Sequence, residues 1–545
     1  MNIKFFSLIL AIIFTKPNIL ISQDTTDGII WYPVIQLSDS DNNAYEPRIA
    51  LSDDNTIHVT WTNIDFPRRI KLPYARSITG GETFELTKEM LPDTITYPDP
   101  AHHTFILANG PKVYLLFTTG SLSPARMRYS NDAGTTFSDV IDLSPDLIPR
   151  IFFAAICGDT IVLHHPKSVS DRALLRSSDG GKTWSRTKKD FEEFTKFCLT
   201  EGKLHLVRGD SLFQGAEEVY YQRSSNIGTS WEFGNFISEI DGIYSDLPTI
   251  AGYTSECGTE LLTAWRDVKY GWYGFAGASI ISLASITNGK TWLPEVLLTQ
   301  EPKGYNPITS VNGNTRAVAW DHEVIAWDSI HVYVSATNNS LNHYSYNYDL
   351  TYNQWGGGGV KVAAASNSIH IVYETKVGST FRIYYRRGEF IPSNAELSLP
   401  TSNIDMDTTE AGRTTTDTVF ITNTGIGTLI IGTAISNNEN FTVTPESASI
   451  TPLNSYPFII HFKPKLYGNH EGKIIFYHNG LSSPDCFDVR GFCVWSKDTI
   501  NDYRKNKWNM VSTPLKYGAN NKMPSLIFYD SSYIASDSMI WGKGY

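Results

Sequence analysis

A phrase of eight residues recurs along the chain and carries side chains able to do chemistry: a serine, a short polar residue, a glycine and an aromatic. "SNDAGTTF" places Ser130, Asp132, Gly134 and Phe137, and "SSDGGKTW" places Ser177, Asp179, Gly181 and Trp184. "SSNIGTSW" places Ser224, Asn226, Gly228 and Trp231, "SITNGKTW" places Ser285, Gly289 and Trp292, and "SITGGETF" opens the series at Ser77. A hydroxyl beside a carboxylate is part of a nucleophilic site, but no base or orienting group accompanies it in any copy. The polar third residue instead caps nearby backbone N–H groups, and the glycine tolerates positive φ. The phrase is read as a turn that closes a hairpin, its aromatic beginning the next strand and packing inward.

Other residues have types that invite a functional reading. The loop "RDVKYGWYGFAG" gathers Tyr270, Trp272 and Tyr273 among glycines, which suits stacking on sugar rings and equally suits a packed loop core. His102 with His103 and His164 with His165 are adjacent in strands, so their side chains leave on opposite faces and neither pair chelates one metal. No metal site and no cofactor is assigned. The five cysteines form no framework and are read as buried free thiols. Cys157 with Cys198 is the pair worth testing, since Cys486 and Cys493 are too far apart along one strand.

These groups need elements to hold them. Alternating apolar strands precede the turns, as in "TIHVTW", "KVYLLF", "TIVLHH", "KLHLVR", "ELLTAW", "SIHVYV" and "SIHIVY". Their spacing of roughly fifty residues, with little helical periodicity, predicts an all-β chain built on a β-propeller. The expected count is seven blades, with six as the alternative, because the unit at 314–358 has no clear copy of the turn. "WYPVIQLS" at 31–38 resembles the outermost strand of a unit, while the last unit stops after its third strand near Phe390. The N-terminal strand is therefore expected to complete the final blade and remove its open edge.

The chain has 545 residues, 13% of them aromatic, a formal net charge of −11 and no basic stripe, so nucleic acid is not an expected partner. Residues 1–22 read as a secretory signal peptide, because the apolar run after Lys4 is too short to span a bilayer. A secreted or cell-surface location follows, with no membrane span after signal removal. Nothing in the sequence sets an oligomeric state.

Over 29–390 the repeated phrase resembles the Asp-box, or BNR, repeat of the sialidase-like propeller superfamily. That superfamily contains glycoside hydrolases and many binding propellers, so the resemblance implies fold more than activity. By analogy with the sialidase Arg-Ile-Pro signature, Arg48 in "YEPRIAL" would grip a substrate carboxylate, although Ala50 replaces the family's proline. Asp65 would be the acid/base carboxylate. Arg266, Arg316, Tyr373, Glu374, Arg382 and Arg386 match the remaining machinery by residue type alone. Residues 391–495, with Asn423, Gly425, Phe441, Phe462 and Gly491, resemble Ig-like β-sandwiches of the ASH and choice-of-anchor D type. Residues 496–545, with "WNMVSTPL", resemble the start of a small β module at the ends of exported Bacteroidota-type proteins, here truncated. The preferred function is an exported, non-catalytic propeller that binds a glycan or an extracellular protein. The alternatives are an exo-sialidase-type glycoside hydrolase and a structural component of a secreted assembly.

Overall fold

The computed structural model describes residues 24–494 with internal gaps, the longest at 97–103, 119–124, 144–152, 189–194 and 270–277. Residues 1–22, read as a signal peptide, and 496–545, read as a further module, lie outside the described residues. Among the described residues all regular structure is β, and seven antiparallel sheets follow one another as blades. Blade 1 is built on Asn43–Leu51, Ile57–Asp65, Pro73–Ser77 and Lys88–Glu89. The innermost strands then succeed one another around a ring, and that of blade 7, Trp355–Ala365, returns to pack on Asn43–Leu51. Second strands bury both faces, which explains their near-continuous apolar runs. In blade 2, Val113, Leu115 and Phe117 pack towards blade 1, whereas Tyr114 and Leu116 pack towards blade 3.

The N-terminal strand closes the ring. Ile29 pairs with Phe390 and Trp31 with Gly388, adding Ile29–Trp31 to the third strand of blade 7, Thr380–Phe390. Trp31 is buried and stacks on Tyr348 of blade 6 with ring centroids 4.8 Å apart. Gly388 is required there, since a Cβ would stand 2.8 Å from the Trp31 ring. The count of seven stands because Gly304–Asn312, Thr315–Ile325, Ser329–Thr337 and Tyr348–Asp349 form a complete sixth blade. Its turn, "TNNSLNHY", lacks the repeated phrase and packs Leu341 against the second module.

That module is a β-sandwich. One sheet holds Thr415–Asn423, Ser455–Phe462 and Phe441–Thr444, and the other holds Asp485–Val494, Gly468–His478 and Leu429–Ser436. Phe441 and Phe462 stack at 4.8 Å in its core, and Gly491 lets Phe462 approach its backbone. The sandwich sits under the turns of blades 5 and 6, where Leu341 is buried with Ile475 and Tyr477. Thr433 Oγ1 there accepts the Leu341 N–H at 3.3 Å.

The expectation of five free thiols is corrected at this junction. Cys257, in a blade 5 turn, is disulfide-bonded to Cys486 of the sandwich with a Cα separation of 5.7 Å, while Cys157, Cys198 and Cys493 are free. The partners are 229 residues apart, and only the docking of two modules brings them together.

Candidate functional site

The repeated turns prove to be joints between blades. In each described copy the serine Oγ accepts the glycine N–H, at 2.9 Å for Ser77 and Gly81, 2.8 Å for Ser130 and Gly134, 2.7 Å for Ser177 and Gly181 and for Ser224 and Gly228, and 3.0 Å for Ser285 and Gly289. Asp132 accepts from the Thr136 hydroxyl at 2.6 Å and from its N–H at 2.9 Å, and Asp179 does the same with Thr183. The threonine hydroxyl, then the backbone N–H, holds each carboxyl well below the usual carboxylate range. Asn226 serves the same turn with its amide oxygen, which accepts the Ser230 N–H at 2.7 Å. The aromatics differ from expectation. Phe137, Trp184, Trp231 and Trp292 are half-buried, and Phe137 and Trp292 pack edge-on against Tyr74 and Tyr221 of the preceding blade at 5.0 Å.

The place where charged groups from different blades meet is the central channel, and a backbone irregularity aims them there. The inner strands of blades 1, 5 and 6 each slip register at a bulge, between Tyr45 and Arg48, Asp246 and Thr249, and Tyr305 and Ile308. At each bulge a residue of positive φ, Glu46, Leu247 or Asn306, precedes a proline. Blade 7 repeats the device with Gly359 at φ +60° before Val360 and Lys361. A bulge re-aims the side chain that follows it. In blades 1 and 7 that side chain is a cation, Arg48 and Lys361.

A third cation, Lys196, comes from the inner strand Lys196–Thr200 of blade 4. It is joined to Arg48 by a string of rings: Arg48 lies 5.3 Å from the Phe105 centroid, Phe105 meets Phe153 edge-on at 6.3 Å, and Lys196 lies 5.6 Å from Phe153. Burial, then the field of Arg48, lowers the Lys196 ammonium to about 8. Burial also lowers Lys361, with Arg48 adding to the effect and Asp321 opposing it. Among the described residues no carboxylate pairs directly with Lys196 or Lys361.

Carboxylates share the centre with these cations, Glu46 and Glu374 acting on Arg48 and Asp321 and Glu374 on Lys361. Glu374 accepts the Glu46 N–H at 2.9 Å, and Glu46 stands 3.7 Å from Arg48. Asp321 is buried, accepts from Asn306 Nδ2 at 3.2 Å and has its Oδ1 without a partner. Burial raises both Asp321 and Glu374 above the ordinary carboxylate range. The buried Nε of Arg48 also lacks a partner. The centre thus brings three half-buried cations beside three carboxylates, with Arg48 Nε and Asp321 Oδ1 unpartnered and Lys361 Nζ donating to the carbonyls of Gly359 and Val360 at 3.2 and 2.9 Å.

Of the residues chosen from sequence, Arg48 and Glu374 reach this centre. Asp65 ends the second strand of blade 1, beyond Thr60, the backbone partner of Arg48. Tyr270, Trp272 and Tyr273 lie outside the described residues, as do His102 and His103. Arg266 makes a two-point ion pair with Asp246, its Nε donating at 2.6 Å. Arg316 is fully buried at the opposite end of the blades, donating to Glu260 at 2.6 and 2.7 Å beneath Tyr477 of the sandwich. Tyr373 is buried in the core between blades 6 and 7, and Arg386 lies beside the stacked Trp31 and Tyr348, 5.7 and 5.0 Å from their ring centroids, and donates to the Tyr348 hydroxyl at 2.8 Å. His164 is buried against Phe197. Sequence reasoning missed Lys196, Lys361 and Asp321; the prolines Pro47, Pro248 and Pro307 mark the bulges of blades 1, 5 and 6 in the sequence, but no such mark stands beside Lys196 or Lys361.

Residues 395–491 match the HYDIN/CFA65/VesB-like, Ig-like domain. No characterised protein matches the chain in sequence. Among solved structures, a protein of unknown function from Dyadobacter fermentans is 12% identical, covering 67% of this chain and 100% of its own, with a TM-score of 0.41. The polysaccharide lyase Uly1 is 12% identical over 66% of this chain and 99% of its own, with a TM-score of 0.43. Hadza microbial sialidase Hz136 is 17% identical over 57% of this chain and 66% of its own, with a TM-score of 0.35. Among the described residues no helix is long and apolar enough to cross a membrane.

Proposed function

We propose that this protein is an exported binding propeller whose central channel takes an acidic group of an extracellular glycan or protein, carried on the Ig-like module. The observation that supports the reading is the arrangement of Arg48, Lys196 and Lys361, three cations from blades 1, 4 and 7 around one channel. A guanidinium supplies two-point recognition of a carboxylate or sulfate, and the two ammonium groups add charge without fixing direction. Export is in keeping with the Cys257–Cys486 disulfide, which suits an oxidising compartment. In this reading the repeated turns are Asp boxes with a structural task, and the channel is a binding site without a reaction. Hydrolysis of the sialidase type needs an activated tyrosine and a guanidinium cluster acting as a unit. Arg48 favours it, while Tyr373, Arg266 and Arg316 are engaged elsewhere.

The test is titration of the full chain with sulfated and uronate-containing oligosaccharides and with neutral ones of equal length, alongside a fluorogenic sialoside. Arg48→Ala and Lys361→Ala are each expected to weaken acidic-ligand binding at least tenfold, with an affinity that falls as salt rises. Acidic-ligand binding that is absent, or that neither substitution weakens, or sialoside turnover lost on Arg48→Ala, would overturn the reading.

A further inference from the structure

A second concavity lies away from the channel, between the sandwich and blades 5 and 6. It encloses about 880 Å³, a volume in the range of ligand pockets, and domain junctions are frequent sites for them. Its walls are held from several directions. The Ser340 and Thr433 hydroxyls meet at 3.2 Å, Ser393 Oγ donates to the Asn479 carbonyl at 2.7 Å, and the Ile391 N–H donates to Gly28 O at 2.8 Å. The Cys257–Cys486 bond ties the same two modules together. The cleft is therefore formed before any ligand arrives.

Its chemistry is the reverse of the channel's. In a chain with 19% charged residues, none of the cleft's described lining residues is Asp, Glu, Lys or Arg, and five are asparagines. Some of that amide capacity is spent internally, as where Asn347 Nδ2 donates to Leu298 O at 2.9 Å. Asn339 and Asn342 spend only their oxygens, which accept from Thr337 Oγ1 at 3.3 Å and Ser340 Oγ at 3.0 Å, so both keep their Nδ2 donors. Leu297, Ile391 and Ile430 are 49%, 48% and 43% exposed, large values for such residues, and line the same space. Exposed apolar side chains grouped with hydrogen-bonding groups mark a binding surface.

From these features we infer that the cleft binds a neutral oligosaccharide. Vicinal hydroxyls both donate and accept, matching the free amide donors of Asn339 and Asn342 and the amide oxygen of Asn347. The C–H faces of pyranose rings cover Leu297, Ile391 and Ile430. A charged sugar would have to be desolvated with no counter-charge to receive it.

The experiment is calorimetric titration of the full chain with cellohexaose, mannohexaose and N-acetylchitohexaose, with a hexaglucuronate as the charged comparison and a neutral Gly-Ser-Asn repeat peptide as the other class of polymer. Ile430→Arg, at an exposed position, puts a bulky charge into the cleft, and Asn342→Ala removes one donor; unchanged melting temperatures show that both variants fold. At least one neutral hexasaccharide is expected to bind, with Kd raised tenfold or more in Ile430→Arg and severalfold in Asn342→Ala. Binding of none of the three at millimolar concentration, binding indifferent to both substitutions, or binding of the peptide alone would overturn the inference.

Discussion

Arg387, on the third strand of blade 7, donates from Nη1 to the carbonyl of Gly80 in the repeated turn of blade 1, at 2.9 Å. The same guanidinium lies 3.9 Å from the ring centroid of Tyr32, next to the N-terminal closing strand. One side chain therefore ties the last blade, the first blade and the closing segment. Arg76, Arg176 and Arg223 make the same contact between neighbouring blades, donating to Ala133 O at 2.8 Å, Ile227 O at 3.1 Å and Asn288 O at 2.6 Å. The ring thus closes with the joint it uses elsewhere.

Gly81→Ala should break that joint. Gly81 has φ +88°, and a Cβ there would stand 1.7 Å from the Tyr385 hydroxyl, itself hydrogen-bonded to His370 Nδ1 at 2.7 Å. Backbone strain and overpacking together should cost on the order of 3 kcal/mol. Gly412→Ala, at φ +80° with nothing within 4 Å, carries the backbone term alone and should cost less. Denaturant midpoints of the two variants give the comparison, and equal losses would count against a joint at Gly81.

Removing one member of the ion pair under the sandwich should be more damaging than removing both. Arg316 is fully buried, and Glu260 supplies its counter-charge. Glu260→Ala should cost about 3–5 kcal/mol by leaving that charge uncompensated, and Glu260→Leu with Arg316→Met should recover most of it. Equilibrium unfolding decides, and a single variant no worse than the double would refute the account. Peptide mapping after alkylation should also find Cys257 joined to Cys486.

Acid should weaken the propeller through its buried imidazoles. His205 and His370 donate to or accept from the hydroxyls of Tyr221 and Tyr385 at 2.9 and 2.7 Å, and both are buried. Burial, with Arg223 and Arg387 adding to it, lowers each to about 3. In the unfolded chain they take up protons near pH 6.5. Their contribution is therefore fully present above pH 6.5 and is lost as the pH falls from 6.5 towards 3, at about 1.4 kcal/mol each by pH 5.5. His370→Gln should flatten the slope of stability against pH between 7 and 5.5; an unchanged slope would show that His370 is not a contributor.

Strand spacing, hairpin turns, the closing role of the N-terminal segment around 31–38 and the Ig-like pattern were determined by the sequence alone, because each rests on short-range chemistry. A period of two marks a strand, and a serine capping a glycine of positive φ marks a turn, wherever the segment lies in space. Arg48 was legible through the partial match of "RIA" to the sialidase Arg-Ile-Pro signature. Tertiary structure alone decided the company it keeps. Lys196 and Lys361 meet its field because seven blades close into a ring, and no local pattern says which inner-strand side chains share the channel. Ring geometry likewise carried Tyr373 into the core between blades and Arg316 to the far end. The Cys257–Cys486 bond and the uncharged cleft depend on where the sandwich docks. That was set by Leu341, Thr433 and Tyr477 fitting against one another, a match of surfaces from distant parts of the chain that residue types and spacings do not encode.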